Sequence, residues 1–311
     1  MGNTAILFPG QGSQSVGMLT GMQEFDAIIR ATFDEAGDAL ARDLGALVRE
    51  GPERELDRTE WTQPAMLAGD IALWRIYRQQ GAEAPLAMAG HSLGEYAALV
   101  AADALDFQDA IRIVHRRGRL MQESVAEGEG GMAAILGLDD AEIERICAET
   151  TSSDSTVVAA NYNAPGQLVI AGARDAVTRA VEACKAAGAR RAMVLSVSVP
   201  AHSPLMQPAA GPLADALARV EVRSPAWPVL HNVDRRPRQQ PDEIRSALVD
   251  QLTRPVHWTG TIRSLIDDGV DRFVECGPGR VLSGLGKRIE RGATWRPLDD
   301  LDTLRAVNAA A

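Results

Sequence analysis

The chain has 311 residues, of which 46% are hydrophobic and 24% charged, as expected for a globular protein with one large domain or two of ordinary size. Its net charge of −10 at pH 7 argues against a general nucleic-acid-binding protein. The sequence shows neither a signal peptide nor the roughly 20 apolar residues of a membrane span, and its three scattered cysteines indicate no disulfide framework or zinc site, so we expect a cytoplasmic protein.

Short apolar strands alternate with longer helical stretches, which predicts an α/β fold. The predicted elements, in chain order, are strand Ala5–Phe8, helix Gln63–Gln79, strand Leu86–Ala89, helix Glu95–Ala101, helix Phe107–Ala126, strand Met132–Leu138, strand Val157–Asn161, strand Leu168–Gly172, helix Ala176–Ala187, strand Arg191–Val197, helix Leu205–Arg219, strand Val229–Asn232, helix Glu243–Leu252, helix Val256–Asp268 and strand Arg272–Cys276. The tail after about Pro297 is poorly patterned, and we expect it to be peripheral.

A segment in the middle of the chain differs from its surroundings. It opens with the glycine-rich run 127–131 and then follows the order strand, helix, strand, strand, helix, strand. That order is typical of the split βαβ, ferredoxin-like motif. We therefore predict a small ferredoxin-like subdomain over 127–199, inserted into a large α/β subdomain made of 1–126 and 200–311.

The pentapeptide Gly90-His91-Ser92-Leu93-Gly94 is the strongest local motif. It matches G-x-S-x-G and lies between a predicted strand and a predicted helix, the context of a nucleophile elbow. The turn lifts the serine oxygen out of the sheet, and the helix that follows directs its N-terminal N–H groups towards an oxyanion. A chance match is the alternative, since the chain has 28 glycines.

A serine nucleophile needs a base, and the chain offers five histidines. The turn should point His91 away from the serine, whereas His115 in an arginine-rich helix and His257 beside a tryptophan favour structural roles. His231 follows an apolar strand and stays a candidate. His202 is favoured because it follows a strand end, where catalytic groups of α/β folds cluster. No Asp or Glu near it stands out as a triad acid, so another acceptor, such as a carbonyl oxygen, is expected to hold its Nδ1–H.

The glycine-rich loop Phe8–Gly17 follows the first predicted strand. It is not a dinucleotide fingerprint, because Ser15 stands where the last glycine is required, and it lacks the lysine of a phosphate-binding P-loop. Its Gln11 N–H could form one half of an oxyanion hole, with the Leu93 N–H as the other half. An ordinary tight turn is the alternative.

Three arginines, Arg116, Arg117 and Arg119, lie on the predicted helix Phe107–Ala126. Arg117 and Met121 are four residues apart and therefore share one face of that helix. Such a face is usually solvated, but an arginine turned into the cleft would bind a carboxylate through two parallel hydrogen bonds. The spacing alone does not choose among the three arginines.

Several motif blocks occur in one order across nearly the whole chain. They are Phe8–Gln14, Arg58-Thr59, Thr62–Ala65, Gly90–Tyr96, Arg117-Gly118, Met121-Gln122, Asn161–Gln167, Ser198–Ser203 and Glu275–Gly279. In these blocks the sequence closely resembles the malonyl-CoA:acyl-carrier-protein transacylases of fatty acid synthesis. One departure is Ala201, where that family often has serine before the histidine, and this position takes no part in the chemistry.

The resemblance implies an α/β-hydrolase-like large subdomain with a parallel sheet and the ferredoxin-like insert. It also implies residue roles: nucleophile Ser92, base His202, oxyanion donors Gln11 and Leu93, malonyl-carboxylate ligand Arg117, histidine-orienting carbonyl Gln251 and acyl-pocket residue Met121. In the implied reaction, Ser92 takes the malonyl group from malonyl-CoA and passes it to the phosphopantetheine thiol of an acyl carrier protein. No metal or redox cofactor is expected.

Three alternatives stay open. A discrete acyltransferase serving a polyketide synthase would use the same chemistry with another carrier protein. A serine esterase or thioesterase would want a triad acid and has no use for a carboxylate-binding arginine. A catalytically silent carrier-binding module would not need the intact Ser92, His202 and Arg117.

Docking of a carrier protein is a separate question, because carrier proteins are usually acidic and this chain is acidic too. Docking therefore needs a local basic patch. Lys287, Arg288 and Arg291, on the helix after Gly284, form one candidate patch, and the pair at 190–191 (two arginines) forms another. An ordinary solvated surface is the alternative.

Overall fold

The computed structural model describes residues 3–197, 199–299 and 301–308, so Ser198 of the motif blocks lies outside the described residues. The strands of this part of the chain, in order, are β1 Thr4–Phe8, β2 Ala87–Gly90, β3 Gly130–Leu136, β4 Val157–Ala164, β5 Gln167–Ala173, β6 Arg191–Val194, β7 Val229–Leu230, β8 Arg272–Glu275 and β9 Thr294–Pro297. The helices are α1 Asp26–Leu40, α2 Leu44–Glu50, α3 Glu53–Leu56, α4 Thr59–Gln79, α5 Gly94–Ala101, α6 Phe107–Glu123, α7 Asp140–Thr150, α8 Arg174–Ala186, α9 Gln207–Leu217, α10 Pro241–Asp250, α11 Trp258–Asp267, α12 Val281–Ile289 and α13 Leu301–Asn308.

The larger sheet is parallel and has the order β7-β2-β1-β8-β9. Its central strand is buried on both faces. Ile6 and Phe8 pack among helices such as α4 and α6, whereas Ala5 and Leu7 pack against α11 and α12 on the other side. Helices on both faces of a parallel sheet bring the carboxyl ends of the strands to one edge, where sites of α/β proteins form.

The smaller sheet is antiparallel and has the order β4-β5-β3-β6. Helices α7 and α8 cover one face, where Ile135 and Ile170 are buried. The other face, with Met132 and Val169, is turned towards the large subdomain and lines a cavity there. This arrangement confirms the predicted fold class, while the proposed boundaries at 126/127 and 199/200 stay predictions.

Strand β6 is shorter than predicted. The pattern over 191–197 indicated one strand, but pairing with β3 ends at Val194. Beyond that residue the Leu195 N–H still donates to the Met132 carbonyl at 2.9 Å, and the side chains of Leu195 and Val197 line the cavity below the sheet. Their apolar character reflects burial over a cleft and not continuation of the strand.

The prediction of a peripheral tail is wrong. Leu298 is 0% exposed and Leu304 is 1% exposed, and both belong to the main hydrophobic core. The Arg305 Nη2 atom also lies 2.7 Å from the Glu24 Oε2 atom near the beginning of the chain. A short strand and a short helix are each too brief to show a clear period in the sequence. No helix in the described ranges has the length and apolar character needed to cross a bilayer.

Candidate active site

The G-x-S-x-G motif forms a tight turn between β2 and α5. Ser92 lies at its tip with a φ of 51°, a left-handed conformation that is uncommon for a residue other than glycine. A Cβ atom on Gly90 would lie 1.9 Å from the carbonyl carbon of Gly94, and one on Gly94 would lie 2.1 Å from the carbonyl oxygen of Phe8. The two glycines are therefore required for the close approach of the backbone at this turn.

Ser92 and His202 meet across the cleft. The Ser92 Oγ atom lies 2.8 Å from the His202 Nε2 atom, and the His202 Nδ1 atom lies 2.7 Å from the carbonyl oxygen of Gln251. Because a carbonyl oxygen can only accept, Nδ1 carries the proton and Nε2 is left to accept the serine O–H. Burial, followed by the nearby Arg117, lowers the pKa of His202 to about 3, which keeps the ring neutral.

The Gln11 and Leu93 amides lie beside this pair. Both residues line a cavity of about 230 Å³ that also contains Ser92 and His202. Among the described residues, neither backbone N–H has a hydrogen-bond acceptor. Two unpartnered amides next to a nucleophile can stabilise the oxyanion of an acyl-transfer reaction.

Arg117 reaches the nucleophile from α6. Its side chain is 1% exposed, whereas Arg116 and Arg119 are exposed to solvent. The Arg117 Nη1 atom donates to the Oε1 atom of Gln63 at 2.9 Å, and Nη2 lies 3.3 Å from the Ser92 Oγ atom. The Nε atom is buried without a hydrogen-bond partner in the described part of the chain. Burial lowers the pKa of this guanidinium, yet arginine stays charged, so it offers donors to a carboxylate.

Met121 lies one helical turn beyond Arg117 and lines the same cavity. It also borders a larger cleft of about 910 Å³, together with Gln11 and Thr59. The cavity and the cleft share these three residues and therefore lie side by side. On the small sheet, Met132 and Val169 line the smaller cavity, the one that contains Ser92.

The remaining histidines have other partners. His231, a candidate for the base in the sequence, is turned towards the buried Glu95, with 2.7 Å between Nδ1 and Oε1. The His91 Nε2 atom lies 2.8 Å from the Asn163 Oδ1 atom on the small sheet. The other two rings contact aromatic side chains: His115 lies tilted against Trp61, and His257 stacks on Tyr162. His202 is therefore the histidine that contacts the serine.

The comparisons with known proteins agree with this geometry. The sequence profile of the family described as "Acyl transferase domain" matches residues 6–291. This chain belongs to the acyl transferase family. It is 51% identical over 302 residues to the malonyl CoA-acyl carrier protein transacylase of Escherichia coli K12 and 42% identical over 304 residues to that of Bacillus subtilis 168, with at least 96% of each chain covered.

Solved structures are equally similar. The malonyl CoA-acyl carrier protein transacylase from Coxiella burnetii superposes with a TM-score of 0.97 at 46% identity, covering 99% of this chain and 97% of that one. A malonyl-transacylase in complex with a type II polyketide synthase acyl-carrier protein has a TM-score of 0.97 at 49% identity, covering 99% and 100%. These matches confirm the family that the motif blocks indicated. Because the chain belongs to that family, it is an acyltransferase enzyme.

The sequence interpretation missed Asn232. Its Oδ1 atom accepts the Ser92 N–H at 2.7 Å, and its Nδ2 atom donates to the Gly90 carbonyl at 2.7 Å. The side chain thus holds both flanks of the elbow. A signal was present, because Asn232 closes a predicted strand and so lies at the edge where strand ends meet. The side chain of Gln63 was missed too, although it stands in one of the motif blocks.

The two basic patches lie on different elements. Lys287 and Arg288 occupy the last turn of α12, with Arg291 just beyond it, and all three are exposed. The Arg288 Nη1 atom donates to the Gln167 Oε1 atom at 2.6 Å and so connects α12 to the small sheet. The rival pair, 190–191, lies exposed at the start of β6.

Proposed function

We propose that this acyl transferase moves the malonyl group from malonyl-CoA to the phosphopantetheine thiol of an acyl carrier protein, through a malonyl ester on Ser92. The relatives' names support both substrates. The observation that carries the proposal is the position of Arg117, a buried guanidinium 3.3 Å from the Ser92 Oγ atom. A fixed positive charge beside the nucleophile favours an acyl group that carries its own carboxylate.

In the first half-reaction, Ser92 attacks the thioester carbon and its proton passes to His202 Nε2. The oxygen of the tetrahedral intermediate accepts hydrogen bonds from the Gln11 and Leu93 amides. When the carbon–sulfur bond breaks, the departing CoA sulfur takes the proton from His202, and a malonyl ester stays on the serine. While His202 carries this proton, the Gln251 carbonyl stabilises the resulting imidazolium.

The second half-reaction reverses this path with a new thiol. His202 takes the proton of the phosphopantetheine thiol, whose sulfur attacks the ester carbon, and Ser92 Oγ leaves with that proton. Nucleophile, base and oxyanion donors suffice for serine acyl transfer, so we expect no metal or redox cofactor. A cytoplasmic location likewise stays a prediction.

A second candidate function differs only in the pathway served. The solved malonyl-transacylase in complex with a type II polyketide synthase acyl-carrier protein is 49% identical to this chain, which favours a polyketide carrier as an alternative recipient. The serine hydrolase alternative is less favoured, because a hydrolase has no use for a buried arginine beside its serine. We retain fatty acid synthesis as the main proposal, on the names of the curated relatives.

The function is tested by the acyl-enzyme itself. Intact-protein mass spectrometry after mixing with malonyl-CoA is expected to show one malonyl adduct on the wild type and none on Ser92→Ala. Addition of a phosphopantetheinylated carrier protein should discharge the adduct much faster than buffer does. An adduct that water removes as quickly as the carrier would indicate a hydrolase, and an adduct retained by Ser92→Ala would refute the nucleophile.

Carrier docking is assigned to the Lys287, Arg288 and Arg291 patch, because acidic carriers need a local basic surface. We expect Lys287→Glu combined with Arg291→Glu to raise the carrier-protein KM roughly three- to tenfold at low salt, with a smaller effect at high salt. Arg288 is left unchanged in this variant to keep its contact with Gln167. The rate of malonyl-serine formation from malonyl-CoA should be unaffected.

The matched control reverses the other patch, 190–191, from arginine to glutamate. If this control raises the carrier KM and the double variant of α12 does not, docking belongs to the start of β6. If the α12 variant slows both half-reactions equally, its effect is on folding or on the site, and the docking assignment is wrong.

A further inference from the structure

A fully buried carboxylate lies behind the nucleophile elbow without lining the cavity. Glu95, the second residue of α5, is 0% exposed. Its Oε1 atom lies 2.7 Å from His231 Nδ1, while Oε2 accepts from the Asn232 N–H at 3.0 Å and from Gln251 Nε2 at 2.8 Å. A buried carboxylate is costly unless its oxygens are hydrogen-bonded, and three partners satisfy this one.

Two of these three partners, Asn232 and Gln251, also hydrogen-bond to residues of the active site. Asn232 accepts the Ser92 N–H through its side chain at 2.7 Å. The backbone carbonyl of Gln251 accepts from His202 Nδ1 at 2.7 Å, and its side-chain Oε1 accepts from Arg117 Nη2 at 2.9 Å. Through Asn232 or Gln251, a single intervening residue therefore connects Glu95 by hydrogen bonds to the nucleophile, the base and the guanidinium.

The Gln251 amide has only one orientation that satisfies its neighbours. Its Nε2 atom donates to the Glu95 carboxylate and also to the Ser92 carbonyl, at 3.0 Å, and both of these groups are acceptors only. Its Oε1 atom must then face Arg117, which is a donor only. A flipped amide would set N–H against N–H at Arg117 and oxygen against oxygen at Glu95.

We propose that Glu95 is a positioning residue for acyl selectivity. It fixes the Gln251 amide, so that the Arg117 guanidinium is held beside Ser92 and receives the carboxylate of the acyl group. The inference rests on the proposed function, since it takes Arg117 as the ligand of a carboxylated acyl group. Its effect on acyl selectivity passes through Gln251, and Glu95 does not line the cavity where the acyl group binds.

The test compares Ser92 acylation by malonyl-CoA and by acetyl-CoA, as the ratio of the two single-turnover rates. Glu95→Ala removes one of the two acceptors that hold Gln251 Nε2 and so loosens the orientation of the amide that faces Arg117. Because a hydrogen bond to a charged group is stronger than a neutral one, we expect the malonyl-to-acetyl ratio to fall about tenfold or more. Acetyl transfer does not use the guanidinium and should change less.

Glu95→Gln is the conservative variant. Its amide oxygen can still accept from Asn232 and Gln251, while its NH₂ group faces His231 Nδ1. The His231 ring can move its proton to Nε2, an atom with no hydrogen-bond partner in the described ranges. We therefore expect Glu95→Gln to keep the ratio within about threefold of the wild type, since the acceptor towards Gln251 survives.

Each other outcome overturns the inference. Equal losses for both acyl groups in Glu95→Ala, with the ratio unchanged, would show a structural role only. A loss in Glu95→Gln as large as in Glu95→Ala would assign the effect to charge. If Glu95→Ala does not fold, Gln251→Leu decides: it removes the amide but keeps the backbone carbonyl, and an unchanged ratio would refute the role. A wild type without any malonyl-serine would instead refute the proposed function.

Discussion

Arg117→Ala is expected to lose malonyl transfer while keeping or gaining acetyl transfer. Leaving one member of a buried charge pair without its partner costs about 2–5 kcal/mol, which corresponds to a fall in the malonyl rate of roughly 30-fold to several thousandfold. Acetyl-CoA has no carboxylate to pair, and the alanine variant leaves more apolar space near Ser92. The measurement is the single-turnover rate of Ser92 acylation by each acyl-CoA, followed by intact-protein mass spectrometry.

Arg119→Ala is the matched control on the same helix. Arg119 is exposed and pairs with Glu123 at 3.3 Å on the surface, a contact that contributes little to stability. Its removal should leave the malonyl-to-acetyl ratio unchanged. If Arg117→Ala still preferred malonyl-CoA over acetyl-CoA, the carboxylate would have another ligand and the assignment would be wrong.

The fold was predictable where its periodicity is strong. Alternating strands and helices indicated the α/β class and the order of the ferredoxin-like insert, and both sheets appear. Helices α1 to α3 were not predicted, because the segment they occupy mixes acidic, basic and apolar residues over short spans. The buried tail was misread for the same reason: Leu298, just after β9, and Leu304, in α13, enter the core from short segments that show no clear period.

The sequence predicted which residues act in the site better than it predicted which of them contact one another. The local motif indicated Ser92, and position at a strand end favoured His202, whereas Arg117 was chosen only through the family resemblance. The hydrogen bonds around them join residues far apart in sequence, such as Gln251 and Ser92, separated by 159 positions. Periodicity carries no information about such distant contacts. The backbone role of Gln251 came from the resemblance, and its side-chain role required the folded arrangement.

His202→Ala is expected to lower the rate of malonyl-serine formation by about 10²- to 10⁴-fold, the usual contribution of a positioned general base. The ring is buried and its Nε2 atom lies 2.8 Å from the Ser92 Oγ atom, whereas the other imidazole of the cavity, His91, is engaged with Asn163. His257→Ala is the matched control, because that ring stacks on Tyr162 and does not line the cavity. It should retain the wild-type rate, and equal losses in both variants would indicate a general effect on folding.

The pH dependence of acylation tests whether His202 stays buried and neutral while the enzyme works. An ordinary histidine gains its proton near pH 6.5, and a rate that depends on its neutral form then falls below that pH. Burial first, and Arg117 second, lower the pKa of His202 to about 3, so its ring stays neutral through the whole neutral and mildly acidic range. We therefore expect the single-turnover acylation rate of the wild type to be flat from about pH 8 down to about pH 5, because the base is already deprotonated there. An acid limb centred near pH 6.5 would mean that His202 titrates as an exposed histidine, and that the closed, dry arrangement around Ser92 does not persist when malonyl-CoA is bound.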